Sequence, residues 1–420
     1  MSDVIVIGGG MAGLTAAREL GERGFSVKVV EGRQRIGGRV HSIRDFCDDP
    51  VEGGAEFVHG AGAATWPDVK AAGLTTHSCP LIKGMMLNFG GGTRWLPWIV
   101  AHPGVWPTLT ILRKISKFRP PDVSARQFIT QQGYKGRAQI MAEMALAAHL
   151  PGTVDEIGLQ GLIEDGVLNL ETGMNFRVDD GYDRLPAFIG RHVDVDLEFD
   201  VDSVEWGPDG VAVESKDGQS VSARAAISTL PVGVLKSGKV KFSPDLPLSK
   251  QSALQKLEMG PVVKLLLLFQ ERFWPRWAGN IACGTGPVTL YWPTSYKSGR
   301  ETPVLIAYAT GPRAAQLSRL SEEEATGVVL SDLKRLFPKA DPARLCTDAR
   351  RIDWSTDPFS CGGYTYIKRG GAGARTLLGA NDTPPLFWAG SATAWAPIAA
   401  TVEAAFSSGL RAAQEVSEFL

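Results

Sequence analysis

The chain opens with Val4-Ile5-Val6-Ile7-Gly8-Gly9-Gly10-Met11-Ala12-Gly13, and no other stretch constrains the fold as much. Four β-branched residues in a row predict a short strand buried on both faces. Gly8, Gly10 and Gly13 then fall in G-x-G-x-x-G spacing, with Met11 and Ala12 between the last two, ahead of the helix-forming run Leu14 to Leu20. The first glycine allows a tight turn, the second lets backbone approach a pyrophosphate, and the third lets helix and strand pack closely. The free N–H groups and the dipole at the helix start favour the negative charge. A second strand, Ser26 to Val30, ends at Glu31, where an acid can take the ribose hydroxyls of an adenosine. The glycine motif alone is weak evidence. Strand, glycines, helix, strand and acid in this order predict a dinucleotide site.

The next stretch, Gly32-Arg33-Gln34-Arg35-Ile36-Gly37-Gly38-Arg39, reads as a loop wrapping the same pyrophosphate, or as a surface turn. Gly53-Gly54-Ala55-Glu56-Phe57-Val58-His59-Gly60 suits backbone packed on a flat ring, or a bulged strand. Prolines break up residues 97–121, and Arg137 to His149 predicts a helix, with Ser124 and Asp155 as N-caps of neighbouring helices. This region reads as a helical insertion over a substrate pocket, or as core alone. Val193 to Val204 alternates like a strand with one wet face, and Pro208-Asp209-Gly210 predicts a hairpin turn. Val262 to Phe269 is a strand carrying one charge, Lys264. A buried unpaired ammonium is expensive, so Lys264 either faces solvent at an edge or has a partner in a site. Strands at Thr289 to Trp292 and Val304 to Ala309 continue that sheet. Ser321 and Glu324 form the capping box of a helix running to Phe337. Leu386 to Gly390 is a short buried strand, and Ala400 to Phe419 a long helix.

The 420 residues allow two cores, and a net charge of −1 without long like-charge runs speaks against nucleic acid or an anionic membrane surface. Five scattered cysteines fit free thiols in a reducing compartment, and no Cys or His pair has the spacing of a metal site. With the first strand at residue 4, a signal peptide has no room, and the expected location is the cytoplasm.

Taken together, several stretches resemble the flavin-containing amine oxidases, the group of monoamine oxidases, polyamine oxidases and histone lysine demethylases. They are the glycine motif with Glu31, Arg33-x-x-Ile36-Gly37-Gly38-Arg39, Gly54-Ala55-x-x-Val58-x-Gly60 and Thr229-x-Pro231-x-Gly233-Val234-Leu235-Lys236. Lys264 ahead of Phe273-Trp274, Trp354 with Asp357-Pro358-Phe359, Phe387-x-Ala389-Gly390, and Ala400-Thr401-Val402 complete the set, in the family's order. The resemblance implies an α/β fold. A Rossmann-like FAD-binding domain would be assembled from residues 1–79, 181–245 and 376–420. A substrate domain would be mainly helical over 80–180 and a mixed sheet over 246–375. It implies that Gly8, Gly10, Met11, Ala12, Gly13, Glu31, Gly32, Arg33, Gly37, Gly38, Arg39, Gly54, Ala55, Glu56, Phe57, Val201, Thr229, Trp354, Gly390, Ser391, Thr401 and Val402 lie along FAD. Val201 would meet the adenine through its backbone. Lys264 would reach flavin N5 through a water, and Tyr364 would be one wall of an aromatic cage around the amine.

The implied reaction is hydride transfer from the amine α-carbon to the flavin, giving an imine, with O₂ reduced to hydrogen peroxide. Its partners would be a small amine and O₂, acting on a monomer or homodimer. A same-fold oxidase or desaturase of amino acids or non-amines, or a non-catalytic FAD-binding module, is the alternative. The sequence departs from the family at three places. Ser391 stands where Glu is usual. Gly363 stands where monoamine oxidases tether FAD through Cys, so non-covalent FAD is expected. The second cage wall falls near Ile398, which is not aromatic, with Trp395 close by. His59-Gly60 resembles the polyamine-oxidase form of its segment and places His59 in the substrate pocket.

Overall fold

The computed structural model describes residues 2–80, 83–90, 93–95, 103–147, 150–167, 174–394 and 399–420. The opening β-branched run forms the strand Ser2–Ile7, between Val27–Val30 and Ser220–Ser228, parallel to both. Val4 to Ile7 are at most 1% exposed. Val4 and Val6 pack with Ala12, Ala16 and Leu20 of helix Met11–Glu22 and with Ala412 and Val416 of helix Val402–Phe419. Ile5 and Ile7 pack on the other side with Phe199, Val204, Val213 and Trp388. Burying each such side chain is worth about 1.5–3 kcal/mol, so both faces are committed to the core. Beyond Ser220–Ser228 the sheet turns antiparallel through Gly210–Ser215 and Val201–Gly207, while Leu386–Trp388 adds in parallel against Ala226 to Ser228. The hairpin turn falls where expected, with Gly207 opposite Gly210.

One expected strand divides in two. Val193 to Val204 becomes Val195–Asp196, beside Val29 and Val30, and the start of Val201–Gly207. Between them Glu198 takes φ 61°. The amides of Glu198 and Phe199 donate to the carbonyls of Arg33 and Glu31, at 3.0 and 2.9 Å. The backbone at the break therefore ties down the loop at Glu31 to Arg33 instead of extending a ladder.

The second sheet runs Cys346–Asp353, Val262–Phe269, Val304–Thr310, Leu290–Pro293, Asn280–Cys283, Met85–Asn88 and Thr93–Trp95. All its pairs are antiparallel except Asn280–Cys283 with Met85–Asn88. Val262–Phe269 is thus interior, and Lys264 is not an edge-strand lysine. Alternation divides its side chains. Val263, Leu265 and Leu267 pack with Ala314, Leu317, Val329 and Leu333 of the helices Gly311–Ser318 and Glu322–Leu336. Leu266 faces the other way, with Trp292, Val304 and Ile306.

Helix Gly136–Ala147 lies where the Ala/Met/Leu-rich run predicts one. Ser124 and Gln127 close a capping box on Ala125–Gln131, as Ser321 and Glu324 do on Glu322–Leu336. Among the described residues Asp155 caps no helix: its carboxylate meets Arg126 at 3.4 Å, and the following helix, Leu159–Glu164, starts from Gly158. Helices Ile111–Ser116, Ala125–Gln131 and Leu159–Glu164 bury Ile111, Ile115, Phe128, Ile129 and Leu162 against Tyr366. Among the described residues no helix is long and apolar enough to cross a membrane.

Candidate active site

The expected cofactor end is built on close backbone approach. Gly8 has φ 109°, a conformation open to glycine. A Cβ on Gly13 would lie 1.9 Å from the Gly8 carbonyl oxygen, so only glycine lets the helix begin this near the strand. Among the described residues no side chain caps the first turn of Met11–Glu22, although Met11 and Ala12 are each 4% exposed. Buried amides at a helix start call for a partner.

Glu31 follows the second strand and is itself buried. Its Oε2 accepts the Gly9 N–H at 2.8 Å and its Oε1 the Arg33 N–H at 3.0 Å. The carboxylate thereby joins the glycine loop to the Gly32-Arg33 loop. Gly32 backs onto the Phe359 ring. Arg33 reaches Asp357 at 2.5 Å and Ser360 at 2.9 Å. Gly37 donates to the Gly9 carbonyl at 2.8 Å, which lays Gly37 and Gly38 beside Gly10. Arg39 donates to the Gly363 carbonyl at 2.8 Å and to Ser391 Oγ at 3.3 Å. Among the described residues no carboxylate pairs with it. Burial, and then the like charge of Arg33, push it down to about 10.

Distant segments close this end. Thr229 Oγ1 donates to the Ile7 carbonyl at 2.8 Å, and Val201 is buried at the start of its strand. Gly390 donates to Ser408 Oγ at 2.8 Å. Thr401 Oγ accepts the Ala404 N–H at 3.1 Å, making Thr401 the N-cap and Val402 the first residue of the last helix. Val402 packs in the same cluster as Met11 and Leu14, so the two helix starts meet.

Lys264 lies beside these segments and is 4% exposed. Its ammonium donates to the carbonyls of Glu52 at 2.9 Å and Gly54 at 2.8 Å, and to Glu56 Oε2 at 3.1 Å. Glu56, expected along the cofactor, turns its carboxylate onto Lys264, onto Arg177 Nε at 2.8 Å and onto Trp292 Nε1 at 2.9 and 3.0 Å. Burial works to raise Glu56, but the positive charges of Arg177 and Lys264 outweigh it and hold the carboxyl below its usual range. Ala55 donates to the Arg39 carbonyl at 2.9 Å, and Trp354 Nε1 donates to the Gly53 carbonyl at 3.0 Å. The Phe57 ring lies against Arg177 and Trp292.

Tyr364 starts the strand Tyr364–Ile367, and its hydroxyl is 2.7 Å from that of Tyr308. Tyr308 is the register partner of Lys264, and its ring is 5.3 Å from that of Trp292. Burial, then the neighbouring Tyr308, raise Tyr364 well above the usual phenol range, so it stays neutral. His59 pairs with Asn175 through Nδ1 at 2.8 Å, and burial lowers it against that hydrogen bond. Trp395 and Ile398 lie outside the described residues.

Residues 11–417 match the family described as flavin containing amine oxidoreductase. The chain belongs to this family. It is 30% identical to polyamine oxidase 4 of Oryza sativa subsp. japonica, over 98% of this chain and 88% of that protein. It is 31% identical to the lysine-specific histone demethylase 1 homolog 2 of the same plant, over 99% of this chain and 57% of that protein. Among solved structures, putrescine oxidase bound to putrescine superposes with a TM-score of 0.85 at 21% identity, covering 99% of both chains. Cyclohexylamine oxidase from Brevibacterium oxydans does so at 0.85 and 19%, covering 100% and 99%. These two share the fold. As a flavin-containing amine oxidoreductase the protein is a flavin-dependent enzyme of amine oxidation. The residues present fit the flavin nucleotide: among the described residues the start of helix Met11–Glu22 has no side-chain cap, which suits an anionic pyrophosphate, and Arg39 has no carboxylate partner.

Three residues of this candidate site escaped the sequence reading: Arg177, Trp292 and Tyr308. Trp292 and Tyr308 lie in strands that the sequence predicts, and strict alternation from Lys264 could have placed them on its face once the pairing was known. Arg177 had no such signal. It sits in the short strand Asn175–Val178, paired with Val58–His59 and Thr76–Ser78.

Proposed function

We propose that this chain oxidises a diamine or polyamine on FAD held without a covalent bond. The observation that carries the reading is the buried Lys264 beside the Tyr308–Tyr364 hydroxyl pair, within a family match that spans nearly the whole chain. A pure binding role needs neither. The names of the related polyamine oxidases and of the putrescine-bound neighbour support the substrate class.

FAD would be held by the glycine loop and the start of helix Met11–Glu22, by Glu31 at the ribose and by Arg39 and the Thr401–Val402 helix start elsewhere along it. FAD, when bound, would supply the two-electron acceptance that turns the amine into an imine, with water hydrolysing the imine and O₂ taking the two electrons as hydrogen peroxide. The chain orients and excludes. Tyr364 and Tyr308 present neutral aromatic walls to the amine, and Lys264 holds a positive charge near the acceptor, where negative charge develops. Non-covalent attachment draws support from Gly363: a Cβ there would meet Val262 Cγ2 at 2.3 Å, leaving no room for a tethering thiol. Cys361 Sγ is turned to the Pro358 carbonyl at 3.5 Å and Lys239 at 3.7 Å.

A second reading, oxidation of an amino acid, draws on Arg177, whose Nη2 has no hydrogen-bond partner among the described residues. Glu56 already meets that arginine's charge, which weighs against a carboxylate there. The test is anaerobic mixing of the yellow protein with putrescine, spermidine, spermine, a monoamine and free amino acids. Bleaching by the di- and polyamines, with peroxide on readmission of air, is expected. Bleaching by amino acids alone, or by nothing, overturns the proposal.

A further inference from the structure

An ammonium has three protons to donate. In this structure all three of Lys264 are taken, by the carbonyls of Glu52 and Gly54 and by the carboxylate of Glu56. The two carbonyls are backbone and cannot leave. Glu56 is different. Trp292 Nε1 donates to both its oxygens and Arg177 pairs with Oε1, so the carboxylate keeps partners when Lys264 lets go. Glu56 is 6% exposed, and between a lysine and an arginine it cannot be spared without leaving two like charges buried together.

We propose that Glu56 is a positioning residue that holds Lys264 as a cation against the Glu52–Gly54 backbone and competes with the flavin side for its third proton. The inference rests on the reading of Lys264 given above and deepens it: the charge near the acceptor is set by a carboxylate on the same loop, not by the lysine alone. The groups facing Lys264 are Glu52 and Glu56 on that loop, Arg177 beyond Glu56, Tyr308 across the sheet and Tyr364 on Tyr308. On the strand Cys346–Asp353 its register partner is the uncharged Ile352. Tyr308 and Tyr364 are both held neutral by burial, and Glu52 is lifted toward neutrality, first by burial. Among the described residues Glu56 is the one whose carboxylate Lys264 meets directly, whereas Glu52 meets it through its backbone carbonyl.

The test compares the parent, Glu56→Gln, Glu56→Asp, Lys264→Met and the double variant, each loaded with FAD. Two readouts are followed against pH: the affinity for sulfite, an anion that adds to oxidised flavins and reports positive charge beside them, and the rate of reoxidation by O₂. An opposite charge at this range moves a titration by about 1–3 units. Glu56→Gln, which keeps the shape and loses the charge, should therefore shift both pH profiles down by at least about one unit, with Glu56→Asp, which keeps the charge, lying much nearer the parent. On a Lys264→Met background the same change should shift neither. A Glu56→Gln profile that overlays the parent while Lys264→Met is slow overturns the inference and spares the role of Lys264. Lys264→Met matching the parent in both readouts overturns that role as well. If Glu56→Gln loads too little FAD to measure, Glu56→Asp carries the test: its shorter side chain should give a smaller shift in the same direction, and an unmoved profile counts against the inference.

Discussion

At the scale of single residues the candidate site is a set of charges and hydroxyls whose states are fixed by burial. Tyr364 depends on Tyr308 for its orientation, since their hydroxyls are 2.7 Å apart and both side chains are half-buried. Tyr364→Ala should raise the apparent KM for the amine and slow flavin reduction about tenfold or more, with FAD still bound. A stopped-flow trace unchanged from the parent places the amine elsewhere. Such a loss corresponds to about 1.4 kcal/mol of transition-state stabilisation. Glu52 gives a pH prediction. Burial, opposed by the Tyr182 amide and reinforced by Glu56, lifts its carboxyl to about 7. The folded chain holds this proton after the unfolded chain has lost it, so the stabilisation is full below about pH 4.5 and disappears as pH rises through about 7. Glu52→Gln keeps an uncharged side chain at every pH. Denaturant melts should show the parent losing stability relative to this variant between about pH 5 and pH 8, and a constant difference would refute it.

At the scale of elements, the cofactor end depends on two helices packed closer than any side chain allows. A Cβ on Gly409 would lie 2.4 Å from the Ala12 carbonyl oxygen and 3.0 Å from Thr15 Cβ, and a backbone oxygen cannot step aside. Gly409→Ala must separate helix Val402–Phe419 from helix Met11–Glu22 and should cost about 1–3 kcal/mol, read by thermal melting, together with weaker FAD retention. Gly21→Ala is the control. Nothing lies within 4 Å of a Cβ there, and the residue is helical. That change should stabilise by up to about 1 kcal/mol, because alanine loses less backbone freedom in a helix. Equal effects at both positions would mean that helix propensity, and not the close crossing, sets the stability. The same scale explains Lys264. A strand pattern alone left it at an edge or in a site, and the neighbours on both sides, Val304–Thr310 and Cys346–Asp353, removed the first choice.

At the scale of the whole molecule, FAD would bridge segments from both ends of the chain, so its attachment should register in global stability. Acid precipitation should leave a colourless pellet and a yellow supernatant, since a Cβ at Gly363 would meet Val262 at 2.3 Å. Yellow colour in the washed pellet would point to Cys361. Adding FAD back to refolded protein should raise the melting temperature in proportion to the logarithm of its concentration, as for any ligand that binds only the folded state. The sequence by itself determined the local pieces: the Val4–Ile7 strand with its glycines and Glu31, the N-cap at Ser124, the capping box at Ser321, the hairpin at Gly210, and the strand holding Lys264. Each follows from forces that act within a few residues, such as β-branching, capping hydrogen bonds and turn geometry. The tertiary structure alone decided what Lys264 touches, that Val193 to Val204 breaks to tie down the Glu31 loop, and that Arg177, Trp292 and Tyr308 join the site. Those outcomes depend on strand order and on buried charges finding one another across about two hundred residues, as Lys264 and Glu56 do. No local periodicity encodes such a pairing, because its energy exists only once water has been excluded from both partners.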